Sequence, residues 1–445
     1  MKKIIYIILV FLVNSNIFAQ TGWTVHSTET NKPIRDIYFV DANTGWAVGD
    51  SVIVKSTNGG VNWTQQNFYY PGGALLLSVK FLNQNTGYAG GGNITPDFYH
   101  YYQYLFKTTN SGANWNLVWE SQNIYNGSIN SIIIINENLI YISLFGYIET
   151  ASQGGIFKST NGGLNFSSCI GNIGVNSVYF LNSLTGWIAT LTTTDISNSK
   201  RSRIFKTTNG GINWQRQFQD SGNYCGSVNS VQFVNENTGY ALEGKSQNKT
   251  LFLKTTNSGL NWDSVRYNHS KYYSMFFLNQ NTGWISGSWV NDSSPVSYTS
   301  NGGANWSNQL KNNFFTLDKV YFVDDLNGWA VNYYSDNHIF RTTTGGIVIV
   351  NNISTEIPEK YSLSQNYPNP FNPSTNLKYQ IKDSRFVTLK VFDITGKEIT
   401  TLVNEKQSPG TYEVKFEAEY LPSGVYFYKI AVGDYSEAKK MILIN

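Results

Sequence analysis

Side chains suited to recognition or chemistry gather in a few short segments of this 445-residue chain. The richest is Pro96–Tyr104, which sets Phe98, Tyr99, Tyr101, Tyr102 and Tyr104 around one histidine. Tyr69 and Tyr70 stand shortly before it, and Tyr272 and Tyr273 much later. Tyrosine joins a large rigid ring to one hydroxyl at low entropic cost, which suits stacking on sugars and contact with proteins. The competing reading is that these rings pack against their own loops. A guanidinium clamp for a ligand carboxylate would need several arginines brought together. The candidates are Arg35, Arg201, Arg203, Arg216, Arg266 and Arg341, of which only Arg201 and Arg203 share a loop. The four histidines and two cysteines have no metal-ligand spacing, so no metal and no cofactor is expected. Cys169 and Cys225 form either one disulfide or two buried thiols, and the thiols are expected.

What positions these groups is a repeat. The segments KSTNGGVNW (Lys55–Trp63), KTTNSGANW (Lys107–Trp115), KSTNGGLNF (Lys158–Phe166), KTTNGGINW (Lys206–Trp214), KTTNSGLNW (Lys254–Trp262), YTSNGGANW (Tyr298–Trp306) and RTTTGGIVI (Arg341–Ile349) recur with a period of roughly 40–50 residues. A second marker precedes each corner, as in FVDANTGWAVG (Phe39–Gly49) and FLNQNTGWISG (Phe277–Gly287). There an apolar strand enters a polar turn ending in Gly, and an aromatic-led strand leaves it, which is hairpin chemistry. Four short antiparallel strands per unit make the blade of a β-propeller, and seven units make seven blades. Trp23 opens a strand with no corner before it, while the last corner lacks its aromatic. The N-terminal strand is therefore expected to complete the seventh blade and seal the ring.

The corner resembles the Asp-box or BNR repeat, in which Ser-x-Asp-x-Gly-x-Thr-Trp closes the turn between strands three and four. Ser56, Asn58, Gly60, Asn62 and Trp63 occupy the matching positions, with Asn replacing both Asp and Thr. Together with the NTGW marker, the match is nearest the Ycf48/Hcf136-like branch of these propellers. Asn58, Asn110, Asn161, Asn209, Asn257 and Asn301 are read as structural, since Asn bonds nearby backbone. Gly60, Gly112, Gly163, Gly211, Gly259 and Gly303 supply positive φ. Trp63, Trp115, Phe166, Trp214, Trp262 and Trp306 are expected to wedge between blades. The corner lysines Lys55, Lys107, Lys158, Lys206 and Lys254 read as outward-facing and solvated.

Beyond Asn352 the composition changes. Proline clusters in Tyr361–Ile381, followed by alternating strands punctuated by turns, the pattern of a small Ig-like β-sandwich. This segment is similar to the type A C-terminal sorting domain of type IX secretion substrates. The resemblance is carried by Pro368, Asn369, Pro370, Phe371, Asn372 and Pro373, by Gly396 in VFDITG, by Gly424 and Tyr426 in LPSGVY, and by Lys439 and Lys440. It implies a bacterium of the Bacteroidota or a near relative, and the type IX machinery as a partner. The fold expectation is all-β: a signal peptide at 1–20, a seven-bladed propeller at 21–352, a linker at 353–360 and the sandwich at 361–445.

Lys2 and Lys3, an apolar core from Ile4 to Val13 and the stretch Ile17-Phe18-Ala19 mark the signal peptide. Its apolar core is too short to remain as a membrane span. A formal net charge of +3 without a basic stripe argues against nucleic acid. In a propeller, the turns between strands one and two and between three and four lie on one side, and the remaining loops on the other. The first set is nearly invariant. The second holds insertions of differing length (Gly90–Tyr104, Gly146–Gly155, Thr190–Arg203, Gly287–Val296), and variable loops on a rigid ring are where binding resides. The expectation is a monomeric, secreted or surface-attached, non-catalytic module engaging extracellular glycan or protein there. The alternative is a sialidase-like glycoside hydrolase, whose carboxylates would come from separate blades. A role in assembly like that of Ycf48 relatives sits poorly with an outward sorting signal.

Overall fold

A computed structural model describes residues 22–94, 101–123, 127–148, 151–171, 173–190, 202–220, 226–245, 249–268, 271–288, 296–310, 316–332, 337–346, 350–418 and 421–444. The chain divides into two units, Gly22–Ile347 and the C-terminal segment from Val348 onward. The expected signal peptide, Phe98, Tyr99, Arg201 and Cys225 lie outside the described residues.

The first unit consists of seven four-stranded antiparallel sheets. Blade 1 runs Ile34–Phe39, Gly45–Gly49, Val52–Ser56 and Thr64–Gln65 in spatial order from the inside outward. The first strands of the blades, among them Leu76–Phe81, Val175–Phe180 and Val228–Phe233, touch one another in sequence. Lys319–Phe322 of blade 7 returns to Ile34–Phe39, so the ring is closed. Closure uses the N-terminal strand as expected: Thr24–Ser27 pairs with His338–Thr342 and is the outer strand of blade 7.

Each marker turn is held by the same bonds. Asp41 Oδ1 accepts the amides of Asn43 and Thr44 at 2.8 and 2.7 Å, and Asn83, Asn136, Asn182, Asn235, Asn279 and Asp324 act alike in their blades. These short polar side chains mimic backbone and fix the hairpin before any packing is made. The glycine ending the turn is required by close approach: a Cβ on Gly45 would lie 2.4 Å from the Phe39 ring.

The second unit is a two-sheet sandwich. One sheet joins Val350–Ser354, Gly410–Glu417, Ser374–Ile381 and Ser362–Leu363, and the other Glu398–Gln407, Arg385–Phe392, Gly424–Val432 and Tyr435–Leu443. A single apolar core, including Leu377, Tyr379, Leu389, Tyr428 and Ile430, fills the space between them. The strand Val350–Ser354 corrects the domain boundary drawn from sequence. Those residues straddle the expected propeller end and linker, yet they pair with Gly410–Glu417 and so belong to the sandwich. The composition shift marks where proline begins, whereas the fold boundary is set by backbone pairing.

Candidate functional site

Within each corner, the hydroxyl of Ser56 donates to Asn58 Oδ1 at 3.0 Å and accepts the Gly60 amide at 2.7 Å. Asn58 Oδ1 then accepts the Asn62 amide, four residues on, at 2.9 Å. The same bonds recur at Asn110, Asn161, Asn209, Asn257 and Asn301, and at Gly112, Gly163, Gly211, Gly259 and Gly303. Gly60 has φ +94°, and a Cβ there would meet Trp329 Nε1 of the neighbouring blade at 3.0 Å.

Two kinds of aromatic then build the ring. Trp63, Trp115, Trp214, Trp262 and Trp306 lie edge-on to a phenylalanine of their own blade at 5.8–6.1 Å. Trp23 takes this place in blade 7 against Phe322 at 5.8 Å, and Phe166 packs on Trp119 instead. The wedge expected of the corner aromatic is delivered chiefly by the marker aromatic. Trp46, Tyr141, Trp187, Tyr240, Trp284 and Trp329 lie flat on a phenylalanine of the next blade at 3.5–4.0 Å. Most also donate to that blade's corner. Trp46 Nε1 bonds the Ser111 carbonyl, Tyr88 and Tyr141 hydroxyls bond those of Gly162 and Gly210, and Trp329 Nε1 bonds that of Gly59 at 2.7 Å.

The corner lysines overturn their sequence reading. Lys55, Lys107, Lys158, Lys206 and Lys254 lie over the marker aromatic of their own blade at 5.2–5.7 Å, a cation–π geometry. Four of them also reach the next corner. Where that corner has serine at positive φ, the ammonium donates to its hydroxyl (Lys55 to Ser111 at 2.8 Å, Lys206 to Ser258), and where it has glycine, to its carbonyl (Lys158 to Gly210, Lys254 to Gly302). Burial lowers the pKa of Lys55 and Lys206, as expected for an ammonium withdrawn from water. Each lysine is the direct cross-strand partner of its aromatic, and this register is kept although the loop between the two strands varies in length.

Nearer the axis, five first strands carry a serine at the same register position, and three of these bond the following blade. Ser78, Ser177 and Ser274 accept the amides of Ile132, Val231 and Val320. Two blades break the pattern. Blade 1 has Asp36 and blade 7 has Lys319, whose ammonium sits 2.6 Å from the carboxylate across the closing seam. Asp36 is fully buried, accepts the Val79 amide at 2.9 Å and has Lys80 Nζ at 3.6 Å. Burial alone pushes its carboxyl up, but Lys319 and Lys80 outweigh it and hold the pKa low. Burial takes Lys80 down to about 8 despite Asp36.

On the opposite, variable side the described tyrosines are mostly occupied. Tyr69 is 82% exposed. Tyr70 donates to Glu120 Oε1 at 2.9 Å and packs on Tyr104 at 4.5 Å. Tyr104 and Tyr272 are buried, whereas Tyr102 and Tyr273 are half-buried. Burial pushes the Tyr104 hydroxyl up to about 12. Tyr101 is placed by its backbone, at the start of the strand Tyr101–Thr108. Of the arginines, Arg35 is bidentate to Asp50, Arg216 donates to Gln219, and Arg341 is half-buried beside the corner of blade 1. Cys169 is a free, half-buried thiol. Sequence reasoning missed Glu243, a carboxyl with no exposure that burial raises to about 7, beside Ser202, Gly226 and Arg266.

The sorting motifs are structural within the sandwich. Asn366 is buried, donating through Nδ2 to the Pro368 carbonyl and the Thr375 hydroxyl. Phe371 inserts in the core, and its backbone pairs with Ile442 and Ile444, clamping the proline segment to the last strand. The bonds preceding Pro368, Pro370 and Pro373 are cis. Tyr426 donates to the Pro422 carbonyl at 2.8 Å, a tyrosine corner. Gly396 turns at φ +84°, Lys439 pairs with Glu437 at 3.0 Å, Gly424 opens the strand Gly424–Val432, and Lys440 lies within the last strand.

Two family models match the chain. Residues 15–179 match the photosynthesis system II assembly factor YCF48, and residues 365–445 match the secretion system C-terminal sorting domain. No curated protein matches it. A solved structure of YCF48 bound to D1 peptide is similar at TM-score 0.54 and 15% identity, covering 73% of this chain and 97% of that one. YCF48 from Cyanidioschyzon merolae is similar at TM-score 0.54 and 16% identity, covering 72% and 98%. At such identity the likeness speaks for the fold alone. The chain therefore carries Ycf48-like BNR propeller repeats and, after them, a type IX secretion C-terminal sorting domain.

Proposed function

We propose that the protein is a non-catalytic binding propeller, led to the periplasm by a signal peptide, exported by the type IX system and engaging extracellular glycan or protein. The sorting domain directs the chain toward the cell surface or extracellular space. The observation that favours binding on the variable side is how the corner side uses its polar groups. Corner hydroxyls, asparagines, lysines and several carbonyls are consumed by bonds within or between blades, and the blade-to-blade differences lie on the other side. Tyr69, exposed beside the Tyr70–Glu120 pair, is the described residue best placed to meet a ligand there.

The test is a glycan array probed with the full chain, beside a variant lacking the Phe98–Tyr104 aromatics and a Tyr69→Ala variant. Binding lost in either variant supports a carbohydrate-recognition face. Signal equal in all three places recognition elsewhere, and a blank array turns the search to protein partners.

One observation favours the hydrolase alternative. Glu243 stands on the variable-side half of blade 5 with its pKa raised to about 7, the state required of a general acid. Its zero exposure keeps it from a substrate in this conformation, which is why binding is preferred. Turnover of any bound glycan, abolished by Glu243→Gln with binding kept, would reverse that preference.

A further inference from the structure

The two outer faces of the sorting domain obey opposite charge rules. On the first sheet, Lys378 stands directly opposite Glu413, and Lys415 pairs with Glu417 at 2.7 Å. Charges there alternate in sign and neutralise one another, and the strands of that sheet expose no aromatic ring. This is an ordinary solvated face.

The outer face of the second sheet is different. Lys390 and Lys429 are direct cross-strand partners, a like-charge juxtaposition that destabilises a sheet. Next along the strands, Phe392 opposes Phe427, and Phe427 in turn opposes Lys440. At the far end, Phe386 opposes Lys406. Phe386 is 56% and Phe427 37% exposed. Glu398, ion-paired to Lys390 at 2.8 Å, is the acid on this face, and among the described residues Lys406, Lys429 and Lys440 have no ion pair. With Glu398 offsetting Lys390, the face keeps three cations among exposed rings and a net positive charge, a composition suited to a partner. Exposed phenylalanine is enriched at interface centres, and lysines beside it match an acidic partner by charge.

We propose that this face is the docking surface of the sorting domain for an acidic protein of the export machinery. The proposal rests on the export reading above and adds to it which face is read and by what chemistry. Complementary acidic groups on the partner would pair with Lys406, Lys429 and Lys440, which the domain's own Glu398 does not reach. The two phenylalanines would supply apolar contact between the cations. The neutral first sheet offers nothing comparable.

The test is export of the full chain in a bacterium that has a type IX system. Lys429→Glu combined with Lys440→Glu should lower the amount outside the cell roughly tenfold or more, because reversed charges repel an acidic partner. Lys378→Glu combined with Lys415→Glu, on the first sheet, should export as the unaltered chain does. All four side chains are exposed, and unchanged melting of the purified proteins certifies their folding. Normal export of the Lys429→Glu, Lys440→Glu chain overturns the proposal. Removing residues 361–445 separates the two readings. If the shortened chain is still exported, the sorting assignment itself fails. If it is retained while the charge-reversed chain is exported, only the docking face is refuted. Finally, purified full chain is mixed with phosphatidylglycerol vesicles. Binding that the reversal abolishes would assign the face to an anionic membrane and also overturn a protein partner.

Discussion

The two sides of the propeller were built by different rules. On the corner side, one set of contacts is copied around the ring: an Asx turn, a hydroxyl-capped corner, a flat aromatic stack onto the next blade and a lysine lying over it. Among the described residues of the variable side no comparable set recurs. Tyr70 and Glu120 pair in blades 1 and 2, while Glu243 is buried without a repeat equivalent in blade 5. A ring can be sealed from one side, and that frees the other to differ. The comparison predicts a gradient of mutational cost.

The largest effect belongs to the corner-side contact between blade 7 and blade 1, where the two ends of the ring meet. Trp329 is fully buried, stacks on Phe39 at 3.5 Å and donates to the Gly59 carbonyl. Trp329→Ala should cost about 4–5 kcal/mol by cavity formation and loss of that bond. Chemical denaturation would measure it. A loss under about 1 kcal/mol would show that the stack does not hold the ring.

Next is the ion pair at the same seam. Asp36→Ser restores the serine found in other blades but leaves the partly exposed Lys319 and Lys80 without their carboxylate, at a cost of about 2–3 kcal/mol after solvent screening. Adding Lys319→Ser should recover much of the loss, since both blades would then follow the repeat. A double variant no better than the single one would mean that the pair does more than balance charge.

Much of this architecture could be read from the sequence, and the reasons are local. Turn and corner residues bond within four positions of themselves, so Asp41, Asn58 and Gly60 declare their roles in any one copy. Repetition then supplied blade number and closure, including the use of Trp23 in blade 7. What escaped was contact between blades. Nothing local to Lys55 says that its ammonium crosses to Ser111, and a charged residue in a turn reads as solvated by default. The domain boundary escaped for the same reason, since Val350–Ser354 is defined by a partner strand some sixty residues away. On the variable side legibility was lower still. There the tyrosines looked alike in sequence, but burial separates Tyr69 from Tyr104 and Tyr272.

A third prediction asks what an unrepeated buried charge does on the variable side. The folded-state pKa of Glu243, about 7, lies above the ordinary value of 4.5. The folded protein therefore holds this proton more tightly than the unfolded chain does. Its relative stabilisation is complete below the ordinary value, fades as pH rises through about 7, and is then gone. Between about pH 5 and pH 8 the protein should lose roughly 3 kcal/mol by this route, and Glu243→Gln should flatten that part of the profile. Denaturation midpoints for both proteins across this window give the difference directly. Parallel profiles would show that Glu243 is ionised and solvated at neutral pH, and would bring the two sides closer in character.

The smallest effect should fall on Tyr69. With 82% of its surface in water, it has little packing to lose, and Tyr69→Ala should change stability by less than about 0.5 kcal/mol. Tyr104→Ala, in the same cluster but buried against Tyr70 and Phe106, should cost about 3 kcal/mol or more. Two tyrosines on one side of the ring would thus be sorted by burial into architecture and available surface. If Tyr69→Ala removed ligand binding at unchanged stability, the variable side would be functional where it is exposed. If it destabilised the fold as Tyr104→Ala does, the ring would depend on both sides, and the contrast between them would be one of repetition only.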